Sequence, residues 1–143
     1  MFGRAVLTWV LMIPVAIANG IFRETVIRPI TGELPAHQIS VVTGSLGFLG
    51  VTWLAFRHHA VQENDRTLLG VGLAWLAGTI AFEFGFGHFL DGKTWTELFQ
   101  DYNVFQGRLW PVVLLVIFAA PLAVKRIALR VGDRRMPLLH RHA

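Results

Sequence analysis

Residues 68–82 read LLGVGLAWLAGTIAF, fifteen residues without a charge, and the next residue is Glu83. The apolar run then resumes as far as Leu90, interrupted only by His88. A bilayer core of ~30 Å is crossed by ~20 helical residues at ~1.5 Å each. Residues 68–90 meet that length, and they lack the alternation that a barrel strand facing lipid requires. The stretch is therefore read as a membrane-spanning helix with one deep carboxylate.

Three more blocks of the same kind surround it. Residues 5–22 form the first, broken by Pro14 and turned polar late by Asn19. Residues 38–56 form the second, and 104–124 the last, uninterrupted from Leu109 onward. The composition agrees: 54% of residues are hydrophobic and 15% charged, against about 25% charge in soluble domains. The expected fold is an all-α, integral membrane four-helix bundle over residues 1–130, with a basic cytoplasmic tail at 131–143. Arg4, the run from Ala5 and Ala16-Ile17-Ala18 together resemble a signal peptide, but the segment is read as a retained span.

There is no Cys, which excludes thiol chemistry, Cys-bound metals and disulfides. Lys and Arg set the orientation. With both termini inside, Arg4, Arg57, Arg66, Lys125, Arg126, Arg130, Arg134, Arg135 and Arg141 face the cytoplasm, and Arg23, Arg28, Lys93 and Arg108 face out. The expected location is a bacterial cytoplasmic membrane, N-in and C-in. The basic tail then meets anionic lipid, each charge gaining ~1 kcal/mol, so the pI near 10.7 calls for no nucleic acid.

Small residues (Gly44, Gly47 and Gly50 in the second block; Gly70, Gly72, Gly78, Gly85 and Gly87 in the third) allow close helix approach. Packing within one bundle and a homodimer, or a partner membrane subunit, are both open. Trp9, Trp53 and Trp110 are expected at interfaces, and Trp75 in the packing.

Polar residues gather at the outer ends. The first helix closes with Asn19, Arg23, Glu24 and Arg28, the third carries Glu83, His88 and then Asp91, and the fourth opens with Asp101, Tyr102, Asn103, Gln106 and Arg108. Glu83 lies ~10 Å inside its helix end. An ion at that depth costs a few kcal/mol unless paired, hydrated or protonated. Arg108, Arg23 and His88 are its candidate partners. Asp91 stands about 80° and His88 about 140° from Glu83 around the helix, a broad face and not a metal triad. Between the third and fourth helices, Thr94-x-x-Glu97 reads as a capping box before the stripe Trp95, Leu98, Phe99 and Tyr102, giving a short interfacial amphipathic helix that roofs the cluster. Asp101 or Asn103 would cap the fourth helix, and Asn64 or Asp65 the third.

His58, His59 and Glu63 supply too few converging ligands for a metal centre, and no cofactor or phosphate-binding motif occurs. The chain resembles the small multidrug transporters in having four short helices and one deep carboxylate. Their carboxylate lies in the first helix and Glu83 lies in the third, so the resemblance carries no residue over.

Three functions compete. The first is a small-molecule or ion transporter, or channel-like protein, with Glu83 as the titratable site among His88, Asp91, Asp101, Asn103, Arg108, Arg23 and Glu24. The second is a membrane scaffold or accessory subunit. The third is an enzyme on a lipid or amphiphile, with Glu83, His88 and Asp101 exchanging protons. They divide on whether the polar cluster lines a space or fills one.

Overall fold

The computed structural model describes residues 1–90 and 92–139, with side chains as far as 132; Asp91 and much of the basic tail lie outside the described residues. Five helices follow one another: α1 (Phe2–Thr31), α2 (Glu33–Gln62), α3 (Asp65–Phe89), α4 (Trp95–Gln100) and α5 (Trp110–Leu139). Among them α1, α2, α3 and the Trp110–Gly132 part of α5 are long and apolar enough to cross a membrane.

The helices outrun their apolar blocks because polar ends can stay helical. Residues 23–31 continue α1, and the link to α2 is Gly32 alone, at φ +87. That left-handed turn suits glycine, and Pro35 is tolerated within the first turn of α2. Near its end α1 widens into a π-helical turn at Arg23–Ile27, where the Arg28 N–H bonds the Arg23 carbonyl. Pro29 supplies the cause, since its ring excludes an ordinary bond to the carbonyl four residues back. At the other end of the bundle Asn64 caps α3, its Oδ1 accepting the Thr67 N–H at 2.8 Å.

Helix α1 packs on α2, α2 on α5, and α5 on α3. The ring closes between α1 and α3 through two tryptophans. Trp75 donates to the Ala5 carbonyl at 3.0 Å, and Trp9 donates to Thr79 at 3.1 Å while its ring lies over Gly78. Trp9 is thus turned inward and makes a bond inside the bundle, because Gly78 leaves room for the indole. Phe56, Leu68 and Val124 fill the half of the bundle away from α4. Lys125 ties that end by bonding the Glu63 carbonyl and Asp65, both at 2.7 Å.

Most of the glycines singled out above serve this packing. A Cβ on Gly72 would collide with the Phe118 carbonyl oxygen, so α3 and α5 touch backbone to backbone. Gly44 and Gly47 accommodate Asn19 and Val15 of α1. Gly50, Gly70 and Gly85 face open space. The outside is apolar too, Leu54 being 77% and Leu115 65% exposed. In water such surface would cost roughly 25 cal/mol per Å²; against hydrocarbon it costs nothing.

Candidate functional site

The half of the bundle beside α4 is hollow. A chamber of about 260 Å³ lies among α1, α2, α3 and α5, and its walls include Trp9, Phe48, Phe82, Phe86 and Ile117. A second chamber of about 190 Å³ lies above it, lined by charged residues of α1, α2 and the α4 segment. Arg23, His37, Lys93 and Asp101 border both. The polar cluster therefore lines a space.

Glu83 reaches the lower chamber from α3, and its Oε2 accepts two hydrogen bonds. Tyr102 donates its hydroxyl at 2.7 Å and Trp110 its indole N–H at 2.6 Å. Among the described residues no donor reaches Oε1. The expected partners are engaged elsewhere. Arg108 bonds Asp101 and Glu33, Arg23 bonds Glu24, and His88 meets the Lys93 carbonyl at 2.9 Å while stacking on Trp95. The reason lies in the start of α5. Trp110 opens that helix at the level of Glu83, so the indole expected at an interface turns inward and takes the place expected of an arginine. For Tyr102, burial first and then the bond to Glu83 push the hydroxyl well above the ordinary phenol range.

The arginines instead form a chain of alternating charge over the upper chamber. Arg23 meets Glu24 at 3.0 Å, Glu24 meets Arg28 at 2.6 Å, and Arg28 meets Glu33 at 3.7 Å. Glu33 meets Arg108 at 2.6 Å, and Arg108 meets Asp101 at 3.3 Å. The chain joins α1, α2 and the segment before α5. Exposed pairs of this kind each contribute little, because water screens them. Their effect here is to neutralise one another at the mouth.

The segment between α3 and α5 folds as its sequence directs at first. Thr94 and Glu97 form the reciprocal capping box, and α4 follows. The bonds from the Thr94 backbone N–H and hydroxyl hold the Glu97 carboxyl below its ordinary value. Phe84 receives Trp95, Phe99 and Tyr102 in ring contacts, and Leu98 settles against Gly87. The apolar stripe thus docks α4 onto α3 as a roof.

Beyond α4 the expectation of a helix from 104 fails. Residues Val104–Gln106 make a 3-10 turn and Gly107 takes φ +79, so α5 starts only at Trp110. Neither Asp101 nor Asn103 is then close enough to cap it. The Asn103 backbone carbonyl closes the turn by accepting from Gln106 and Arg108. The Leu109 N–H is met by His37 of α2, whose Nε2 accepts at 3.1 Å. His37 is 4% exposed, and a ring accepting at Nε2 carries its proton on Nδ1.

The structure brings Glu83, Asp101, Arg108, Arg23 and Glu24 to the two chambers. His88 and Asn103 line neither, and Asp91 lies outside the described residues. Sequence reasoning missed His37, Ser40, Glu33 and Trp110. Asn19 links to Ser40 through bonds of 2.9 Å to its carbonyl and 2.8 Å to its hydroxyl, and accepts from Thr43 at 2.6 Å. A polar run at the head of an apolar block, His37-Gln38 and then Ser40, is the signal that marks them. Among the described residues no group of three His, Asp or Glu side chains converges to hold a metal ion. No family model, curated protein or solved structure matches the chain.

Proposed function

We propose that the chain is an integral membrane protein that binds a small molecule or ion in the lower chamber and passes it between the chamber and the mouth. Glu83 is the binding carboxylate. Arg23, Glu24, Asp101 and Arg108 shape the entrance, and α4 lies in the outer interface as its cover. Both termini face the cytoplasm of a bacterial cell, and the basic tail rests on anionic lipid. The observation that carries this reading is that Glu83, held by two neutral donors on one oxygen, keeps its second oxygen without a partner among the described residues and lines a chamber of about 260 Å³. The two bonds also tie α3 to the start of α5, as a structural hydrogen bond would, and the open oxygen is what such a tie leaves unused.

The scaffold reading draws on one observation, the chain from Arg23 to Asp101, which joins three parts of the fold and is self-sufficient in charge. The enzyme reading needs His88 beside Glu83, and His88 is occupied with Lys93 and Trp95.

Reconstitution into liposomes tests the proposal, using a panel of labelled small cations, anions and zwitterions. Uptake of at least one class above protein-free vesicles is expected, with Glu83→Gln reduced to the protein-free rate while still eluting as folded protein. Absence of uptake for every class would overturn the transport reading.

A further inference from the structure

The donors and acceptors around the lower chamber divide by position, and the division specifies a ligand. Deep in the chamber the indole, phenol and amide hydrogens of the wall are already in use, while the Ser40 and Thr79 hydroxyls accept. The Trp9 indole N–H goes to Thr79, the Trp110 indole and Tyr102 hydroxyl go to Glu83, and both Asn19 amide hydrogens go to Ser40. The anionic Oε1 of Glu83 remains as an acceptor. At the mouth unused donors appear as well, beside the Asp101 carboxylate. His37 gives its Nε2 to the Leu109 N–H and presents an Nδ1–H with no partner among the described residues. Arg23 uses its Nε–H for Glu24, and its terminal amino groups make no bond among the described residues. Both side chains border the lower chamber.

From these positions, and resting on the reading of Glu83 as a binding carboxylate, we propose that the ligand is a small apolar zwitterion, an amino acid with a hydrocarbon or aromatic side chain. Its ammonium group meets Glu83 at depth, and its carboxylate meets Arg23 and His37 at the mouth. Its side chain lies against Phe48, Phe82 and Phe86. Charge-assisted bonds at both poles are stronger than neutral ones, which favours a zwitterion over a neutral polar molecule. A simple cation would leave the arginine and histidine hydrogens without an acceptor, and a simple anion would meet Glu83. The chamber also sets a size: about 260 Å³ lies just under the ~300–1,000 Å³ of drug-sized ligand sites.

Three probes with one aromatic body separate the possibilities: phenylalanine, phenethylamine, which lacks the carboxylate, and 3-phenylpropanoate, which lacks the amine. Binding is measured by calorimetry on the full chain in nanodiscs. Phenylalanine is expected to bind at least about tenfold more tightly than either analogue, a factor that a charged hydrogen bond readily supplies. Glu83→Gln should weaken phenylalanine and phenethylamine and leave 3-phenylpropanoate unweakened. Arg23→Gln should weaken phenylalanine and 3-phenylpropanoate and leave phenethylamine unweakened. The comparison of the three probes needs only the unaltered protein, so it decides even if a variant fails to fold. Phenethylamine binding as tightly as phenylalanine would overturn the zwitterion and leave the Glu83 site standing. Binding of none of the three, alongside uptake of another solute in liposomes, would do the same. No binding and no uptake would remove both proposals.

Discussion

A carboxylate gripped on one oxygen by an indole and a phenol is a different object from one paired with arginine. It is oriented by two neutral donors on one oxygen and keeps the other oxygen free of a donor among the described residues. Tyr102→Phe removes one of the two donors and leaves the ring contacts of Tyr102 with Phe84 intact. Loss of a hydrogen bond to a charged acceptor predicts a fall of ~1–3 kcal/mol in stability, read by denaturation in detergent. Combined with Glu83→Ala the losses should be smaller than their sum, because both changes remove the same contact. Strict additivity would mean that the two side chains do not interact. The raised pKa of Tyr102 sets the pH window: the protonated, donating form persists through the ordinary value of 10.0, and its contribution disappears only as pH rises through the higher folded value. At this scale the depth of Glu83 was legible from its position after a charge-free run. Its partners were not, since Tyr102 lies 19 residues away beyond α4 and Trp110 27 residues away beyond the turn at Gly107.

Among the elements, α4 shows how far a local pattern carries. Its capping box is a contact between residues three apart, so sequence alone specifies it. The Glu97 carboxyl is held below its ordinary 4.5, so its contribution is present above that value and lost as pH falls through the lowered one. A spin label on a single cysteine at Thr96, in a chain that has no native cysteine, should therefore gain mobility as pH drops below 4.5. Glu97→Gln should abolish that pH dependence. Unchanged mobility down to pH 3 would show that the aromatic contacts with Phe84 hold the roof without the cap. The crossing of α3 and α5 gives a second test. Gly72→Ala forces a methyl against the Phe118 carbonyl and should cost ~1–3 kcal/mol by overpacking. Gly70→Ala, on the open side, should be neutral or slightly stabilising, because alanine favours the helix. Equal effects at the two sites would remove the close crossing.

For the whole molecule, the proposed orientation has its own measurement. Single cysteines at Thr96 and Gln62 stand at opposite ends of the bundle. In intact cells a membrane-impermeant maleimide should label Thr96→Cys at once and Gln62→Cys only after permeabilisation. The reverse pattern would place the chambers at the cytoplasmic face. At this scale the α1–α3 seam also matters: it closes through Trp9 and Trp75, and the lower chamber lies on the roofed side of Trp9.

Sequence by itself determined the features that depend on composition and short spacing. Four long apolar helices follow from block length, the Asn64 and Thr94 caps from contacts within one turn, and the clustering of polar residues from where each block ends. Only the tertiary structure decided which polar groups meet. Asp101 and Arg108 pair across a 3-10 turn and a left-handed glycine, not along a helix. His37, one residue ahead of the second apolar block, meets the Leu109 N–H just before α5 because the helices come together there. Helical periodicity fixes which face a side chain shares with its neighbours on the same helix. Partners on another helix depend on the crossing angle and on the turns between helices, which no short spacing contains. Whether the polar end of this bundle is solid or hollow was therefore decided only when Gly72, Trp9 and Trp75 set the distances between the helices.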